Sequence, residues 1–203
     1  MSEPEKIKKI MIATPCYDGK LPVEYVGSLL DTLRAQLPMV IAPVFLPREA
    51  MLPHARNYLA QLFLESDFDS IFYIDSDMVW TPELFNTIAS SEFPVFSGIA
   101  RLKKEGAPFN FRELPGEQPK DNLLKVESVG CAFIKIDRVA FESLTKKTYT
   151  INKNKYFSFF EYSNLKNEFV GEDITFSRKL RKAGYDIMVD LSVQVGHLGS
   201  KVY

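Results

Sequence analysis

The sequence predicts an α/β fold, a mixed, mostly parallel sheet flanked by helices. Three observations carry this. Apolar strand-like runs alternate with amphipathic helical stretches through the first half of the chain, the pattern of a sheet covered on both faces. The run Ser70-Ile71-Phe72-Tyr73-Ile74 reads as a buried strand and ends in Asp75-Ser76-Asp77, two carboxylates one residue apart. The second half loses the regular alternation and becomes richer in aromatic and polar stretches.

The elements follow in order. Residues 9–14 read as a first strand, ended by Pro15. Residues 22–36 read as a helix: Val23, Val26, Leu29, Leu30 and Leu33 keep the spacing of one face, and Pro22 suits a first turn. Residues 39–46 form a second strand, and residues 53–65 a second helix with Ala55, Tyr58, Leu59, Leu62 and Phe63 on one face. After the Asp75 strand, Thr81 caps a helix over 82–90, and 94–99 is a further strand. Residues 101–120, rich in Pro, Gly and charge, read as a loop or irregular hairpin. Residues 126–136 are a strand pair or one bent strand broken at Gly130, and Asp137 caps a short helix to Leu144. Residues 148–162 read as a flap or edge hairpin. A helix over 171–183 is stopped by Gly184. Residues 185–191 are a last strand, followed by a loop carrying His197.

A length of 203 residues fits one domain over 1–203. The net charge of −1 gives no electrostatic reason for a nucleic-acid partner. Cys16 and Cys131 match no metal spacing and are expected reduced, as in a cytosol-type compartment. No apolar run reaches the length of a transmembrane segment, and residues 1–9 lack the form of a signal peptide. The expectation is a soluble, intracellular, cytoplasmic protein (in host cytoplasm if viral). A peripheral membrane role through Phe157, Phe159 and Phe160 is the weaker alternative.

The chemistry begins at Asp75 and Asp77. A carboxylate is costly to bury unless it is paired or binds a metal. Open α/β sheets bind ligands beyond the carboxyl ends of their strands. The pair therefore reads as a site for a divalent ion neutralising a diphosphate; the blander reading is a capped turn. Arg56 and Asn57 sit at a helix start, where a cation opposes the helix dipole, which suits a phosphate or base contact. His54 beside them reads as a surface histidine. Glu172 and Asp173 after Gly171 either serve the helix dipole or act as acid/base or acceptor-binding carboxylates. His197, between Gly196 and Leu198-Gly199, is structural or approaches a ligand on the same sheet edge. Thr14-Pro15-Cys16-Tyr17-Asp18 is a strand-end turn or a base-contacting loop with Tyr17 stacking. Gly130-Cys131 is a β-bulge or a close backbone approach to a sugar.

Taken in order, Thr14-Pro15-Cys16-Tyr17, Ala55-Arg56-Asn57, Tyr73-Ile74-Asp75-Ser76-Asp77, Val129-Gly130-Cys131-Ala132-Phe133, Gly171-Glu172-Asp173-Ile174-Thr175-Phe176 and Gly196-His197 resemble a glycosyltransferase of the GT-A (Rossmann-like) fold. The small size resembles the compact domains of bacteria, phages and large DNA viruses. The resemblance implies a nucleotide-sugar donor, UDP-linked, and a glycan or other hydroxyl acceptor. It implies that Thr14, Pro15, Cys16, Tyr17, Arg56, Asn57, Asp75, Ser76, Gly130 and Cys131 line the donor. It assigns a metal to Asp75, Asp77 and His197, and Asp173 with Glu172 to catalysis. The cofactor is Mn²⁺ or Mg²⁺, with the imidazole favouring Mn²⁺. Residues of about 10–100 form the nucleotide-binding half and about 101–203 the acceptor-binding half. The alternatives are a nucleotidyltransferase that makes sugar nucleotides and a non-catalytic carbohydrate-binding relative. The 15–20 loop, with one Gly and one Lys, is poor in the groups a triphosphate needs.

Overall fold

Strand β1 (Lys8–Cys16) sets the frame, because its side chains alternate between two covered faces. Ile10 and Ile12 pack on one side of the sheet, Met11 and Ala13 on the other. Strand β3 (Ser70–Ile74) repeats the division: Phe72 and Ile74 face one way, Ile71 and Tyr73 the other. This computed structural model describes residues 7–103, 106–165 and 168–199. Helices α1 (Val23–Arg34) and α3 (Pro82–Ala89) cover the first face. Helices α2 (Leu52–Leu64), α4 (Arg138–Glu142) and α5 (Glu172–Lys182) cover the second. Phe72 lies stacked on Phe85 and edge-on to Phe133, with both ring centroids 4.8 Å away. Each such buried ring contributes about 1.5–3 kcal/mol.

The other strands are β2 (Met39–Pro47), β4 (Met78–Val79), β5 (Val95–Ala100), β6 (Phe111–Glu113), β7 (Leu123–Val129), β8 (Phe133–Asp137) and β13 (Ile187–His197). They join in the order β2-β1-β3-β8-β5-β13-β7-β6, with β4 paired to β13. β8 and β7 run against their neighbours; β2, β1, β3, β5, β13 and β6 share one direction. The sheet is thus mixed and mostly parallel. Two hairpins lie off it: β9 (Thr148–Ile151) with β10 (Asn154–Phe157), and β11 (Ser163–Leu165) with β12 (Glu168–Val170).

Several expectations need correcting. β1 does not stop at Pro15, because its β3 partner ends opposite Ala13 and Pro15 pairs only with β2. A residue without an N–H is tolerated on that open side. α1 turns a different face inward: Tyr25, Ser28, Leu29 and Thr32 are buried, while Val23, Leu30 and Leu33 are exposed. The reason is Trp80. Its backbone N–H donates to Ser28 Oγ (3.0 Å) and its indole Nε1–H to Thr32 Oγ1 (2.9 Å), so two hydroxyls must face the core. The segment around Gly130 makes two strands that do not pair with each other; the chain crosses from β7 to β8 on the far side of β5 and β13. Asp137 sits at the start of α4, but its carboxylate takes the Ser70 hydroxyl (2.6 Å) and the Lys135 ammonium (3.1 Å) instead of capping the helix. Phe159 and Phe160 are buried in the core and Phe157 is partly buried against it. Among the described residues no helix is long and apolar enough to cross a membrane.

Lys135 is fully buried on β8. Burial pushes its ammonium down to about 8 from the ordinary 10.5, with Asp137 opposing the shift and Lys8 adding to it. Between those values the unfolded chain holds a proton that the folded chain has lost, so stability rises with pH across that window. Urea denaturation of Lys135→Met is expected to lack the part of the rise that the wild type gains between pH 8 and 10. Identical pH profiles for both proteins would contradict it.

Candidate functional site

The shared strand direction brings the ends of β1, β3, β5 and β13 to one sheet edge. α2 begins there, since it follows β2, and so does β8, since it runs the other way. The crossing at Gly130-Cys131-Ala132 lands at this edge, and the Ala132 carbonyl accepts the Asp75 N–H (3.1 Å). The neighbour that Gly130 admits is Asn110: a Cβ would stand 3.1 Å from its side-chain nitrogen.

Arg56 is the buried centre of this edge, 3% exposed. Its guanidinium grips both oxygens of Asp75 (3.0 and 3.2 Å) and also binds Glu172 at the start of α5. Burial disfavours the charge, but the Asp75 and Glu172 carboxylates outweigh it and hold the proton more tightly than usual. Its Nε is buried with no hydrogen-bond partner among the described residues. In this structure Arg56 is an internal tie between β3, α2 and α5. Asn57 is buried as well. Its Oδ1 accepts the N–H groups of Phe159 (2.9 Å) and Phe160 (2.8 Å), and its Nδ2 donates to the Phe160 carbonyl (2.8 Å). Its side chain is committed to that backbone instead of facing the crevice.

Asp75 and Asp77 are thereby separated in role. Asp75 turns inward to Arg56, while Asp77 faces His197 Nε2 (3.4 Å) and the Lys103 ammonium. Ser76, partly buried, sits in the turn between them, which the Met78 N–H closes onto the Asp75 carbonyl (3.1 Å). His197 is not on a loop. It is the last residue of β13, paired with Met78 of β4. Its Nδ1 lies 2.9 Å from the Arg101 carbonyl, which can only accept, so Nδ1 carries the hydrogen. Nε2 faces the Asp77 carboxylate and donates to it when the imidazole is protonated. Burial raises the Asp77 carboxyl, but His197 and Lys103 lower it further, to a net value below the ordinary one. Burial lowers His197, and Asp77 with the Arg101 carbonyl raises it above the ordinary value.

Among the described residues no group of three His, Cys, Asp or Glu side chains forms a metal shell. The Asp77–His197 pair brings together one carboxylate and one imidazole, both donor types that a divalent ion accepts. One ring nitrogen is tied to a backbone carbonyl, the outer-shell contact that orients metal-ligating histidines, while the other faces the Asp77 carboxylate. The Lys103 ammonium already stands on the Asp77 carboxylate as a cation.

Cys131 joins the two groups of residues. Its buried thiol is raised by burial, and the charges of Arg56, Asp173, Asp75 and Glu172 all act on it. Asp173 bends back over Gly171, where a Cβ would meet its Oδ1 at 2.9 Å; that oxygen accepts the Ile174 N–H (2.7 Å). At the end of β1, the buried Thr14 hydroxyl meets the Tyr25 hydroxyl (2.5 Å) and Cys16 is buried, while Pro15 is partly exposed. Tyr17 is the member of that turn that stands open, 71% exposed.

His54 is not a surface residue. Its Nδ1 contacts the Tyr149 hydroxyl (2.6 Å), and its ring lies edge-on to Tyr149 and Tyr156, so it seats the β9–β10 hairpin on α2. Sequence reasoning missed Lys103 and the Arg101 carbonyl. A basic residue just past the end of β5, on the edge where β3 delivers its carboxylates, was the available signal. A broad groove of about 1080 Å³ lies at the opposite end of the sheet, among the starts of β1, β2 and β3, and holds none of these residues.

No protein-family profile matches the chain. No curated protein matches it by sequence. Solved structures do match in shape. A197 from STIV aligns with a TM-score of 0.64 at 17% identity, over 95% of this chain and 86% of the other. GalNAc-T7, solved with UDP, GalNAc and Mn²⁺, aligns with a TM-score of 0.52 at 12% identity, over 97% of this chain and 45% of the other. The chain has a GT-A-like fold. Within it, the edge that carries Asp77, His197 and Arg56 is the one where open α/β sheets take ligands.

Removing Arg56 strands two partly buried carboxylates. Arg56→Ala is expected to lower folding stability by about 3–5 kcal/mol in urea denaturation. A loss below about 1 kcal/mol would mean that the tie is not structural.

Proposed function

We propose that this protein is a metal-dependent glycosyltransferase. It moves a sugar from a nucleotide-sugar donor, read as UDP-linked, to a hydroxyl of a glycan-type acceptor. The observation that carries the reading is the Asp77–His197 pair, with the imidazole's outer nitrogen tied to Arg101 and its inner one aimed at the carboxylate. The presence of UDP, GalNAc and Mn²⁺ in the GalNAc-T7 structure supports the donor and metal classes.

Asp77 and His197 would hold Mn²⁺ or Mg²⁺, at a carboxylate that the Lys103 ammonium occupies in this structure. When bound, the ion neutralises charge on the departing nucleoside diphosphate. Arg56 positions Asp75 and Glu172 and does not touch the phosphates. Tyr17 stacks on the base, above a floor made by Thr14, Pro15 and Cys16. Gly130 and Cys131 line the sugar side, with Ser76 at the turn. Asp173 serves the acceptor hydroxyl as base or as anchor, and Glu172, fixed by Arg56, sets the start of α5 that carries it. Residues up to about 100 hold the nucleotide and those beyond hold the acceptor.

The test is release of nucleoside diphosphate from a panel of nucleotide sugars with and without Mn²⁺. Metal-dependent release by the wild type is expected, with loss in Asp77→Asn and retained folding by circular dichroism. Release of pyrophosphate from a nucleoside triphosphate instead would make the protein a nucleotidyltransferase.

Two variants separate the remaining roles. Lys103→Met removes the competing ammonium, so calorimetry should show tighter Mn²⁺ binding; weaker binding would make Lys103 part of the site. Asp173→Asn should leave donor and metal binding near wild type and slow transfer by roughly 10²-fold. Wild-type transfer rates in that variant would reduce Asp173 to a helix-start residue.

A further inference from the structure

We infer that Tyr162, Asn164 and Phe169 form a stacking platform for one ring of an oligosaccharide acceptor, a reading that rests on the proposed transfer to a glycan. Two large aromatic side chains stand in water here, Tyr162 50% and Phe169 75% exposed. Their ring centroids lie 5.0 Å apart with a tilt of 37°, so they make one shallow surface. The hairpin register explains the pairing. Asn164 lies opposite Phe169, and Tyr162 shares the face of Asn164 by the two-residue alternation of a strand. Ser163 and Val170, opposite each other, take the inner face: Val170 is buried, and the Ser163 hydroxyl meets Thr175 Oγ1 of α5 (2.9 Å).

The platform is held in place although it is exposed. Asn57 fixes the backbone at Phe159 and Phe160. Lys179 donates to the carbonyls of Ser158 (3.0 Å) and Phe159 (2.8 Å) and pairs with Glu161 (2.6 Å), the residue before Tyr162. A preorganised surface loses little entropy when a ligand arrives. The chemistry selects the ligand. An aromatic face carries partial negative charge and attracts the polarised C–H bonds on the flat side of a pyranose. The exposed Asn164 amide beside it offers both a donor and an acceptor to ring hydroxyls. Phe169 precedes Asp173 by four residues, so their Cα atoms are at most roughly 14 Å apart. That is the reach of a short oligosaccharide whose terminal hydroxyl lies at Asp173. The platform therefore favours an oligosaccharide over a single sugar.

The test needs neither donor nor metal. Saturation-transfer NMR on the wild type with maltotriose, cellotriose, chitotriose and lactose should show magnetisation passing to ring C–H protons of at least one. The signal should vanish in Tyr162→Ala/Phe169→Ala and weaken in Phe169→Leu, a milder change that serves if the double variant misfolds. In the transfer assay, the same variants should raise acceptor KM by about 3- to 10-fold and leave donor hydrolysis unchanged. No transfer of saturation to any of the four, or equal transfer in the variants, overturns the inference. A wild type that contacts saccharide through these rings but releases no nucleoside diphosphate would sink the transferase reading and leave the platform standing.

Discussion

The guanidinium of Arg56 is the interaction on which the chemical edge depends. It binds Asp75 at the end of β3 and Glu172 at the start of α5, segments almost a hundred residues apart in the chain. A buried charge with two acidic partners adds little net stability over an apolar replacement, but breaking one side of the set is costly. Its value is in geometry. By engaging both oxygens of Asp75, Arg56 gives two neighbouring aspartates different partners, Asp75 the guanidinium and Asp77 the His197 imidazole and the Lys103 ammonium.

The rest of the edge arranges itself around that division. The Asp77 backbone carbonyl accepts the Leu198 N–H (2.8 Å) just past β13, and the Asp77 carboxylate faces His197. His197 is in turn oriented by the strap that leaves β5 at Arg101. Three chain segments thus fix one carboxylate–imidazole pair from three directions. Such over-determination holds the pair in one orientation.

The sheet was legible in the sequence wherever an apolar run was long enough to be a buried strand, as at residues 39–46 and 70–74. The helices were legible in extent but not always in orientation. α1 misled because the period of its aliphatic residues is real, yet Ser28 and Thr32 are drawn inward by Trp80, a residue almost fifty positions away. Long-range partners also explain the other misses. β13 extends to His197 because β4 and β5 pair with its second half, and neither pairing has a local signature. Among the site residues, Asp75, Asp77, His197, Arg56, Glu172 and Asp173 were visible as residue types at strand ends and helix starts. Which of them are tied to one another, and the part played by Lys103, depended on contacts that spacing does not encode.

β13 is the last strand in the chain, yet it lies inside the sheet, as the link between β5 and the β7–β6 pair. Strands β2, β1, β3, β8 and β5 can form their ladders from residues up to 137 alone, whereas β6 and β7 join that body through β13. The closing seam of the fold and the imidazole of His197 therefore arrive together. A nascent or partly folded chain owns the Asp77 carboxylate but not the nitrogen that completes the pair. Asp77 and His197 thus come together only where β13 pairs with β4 and β5.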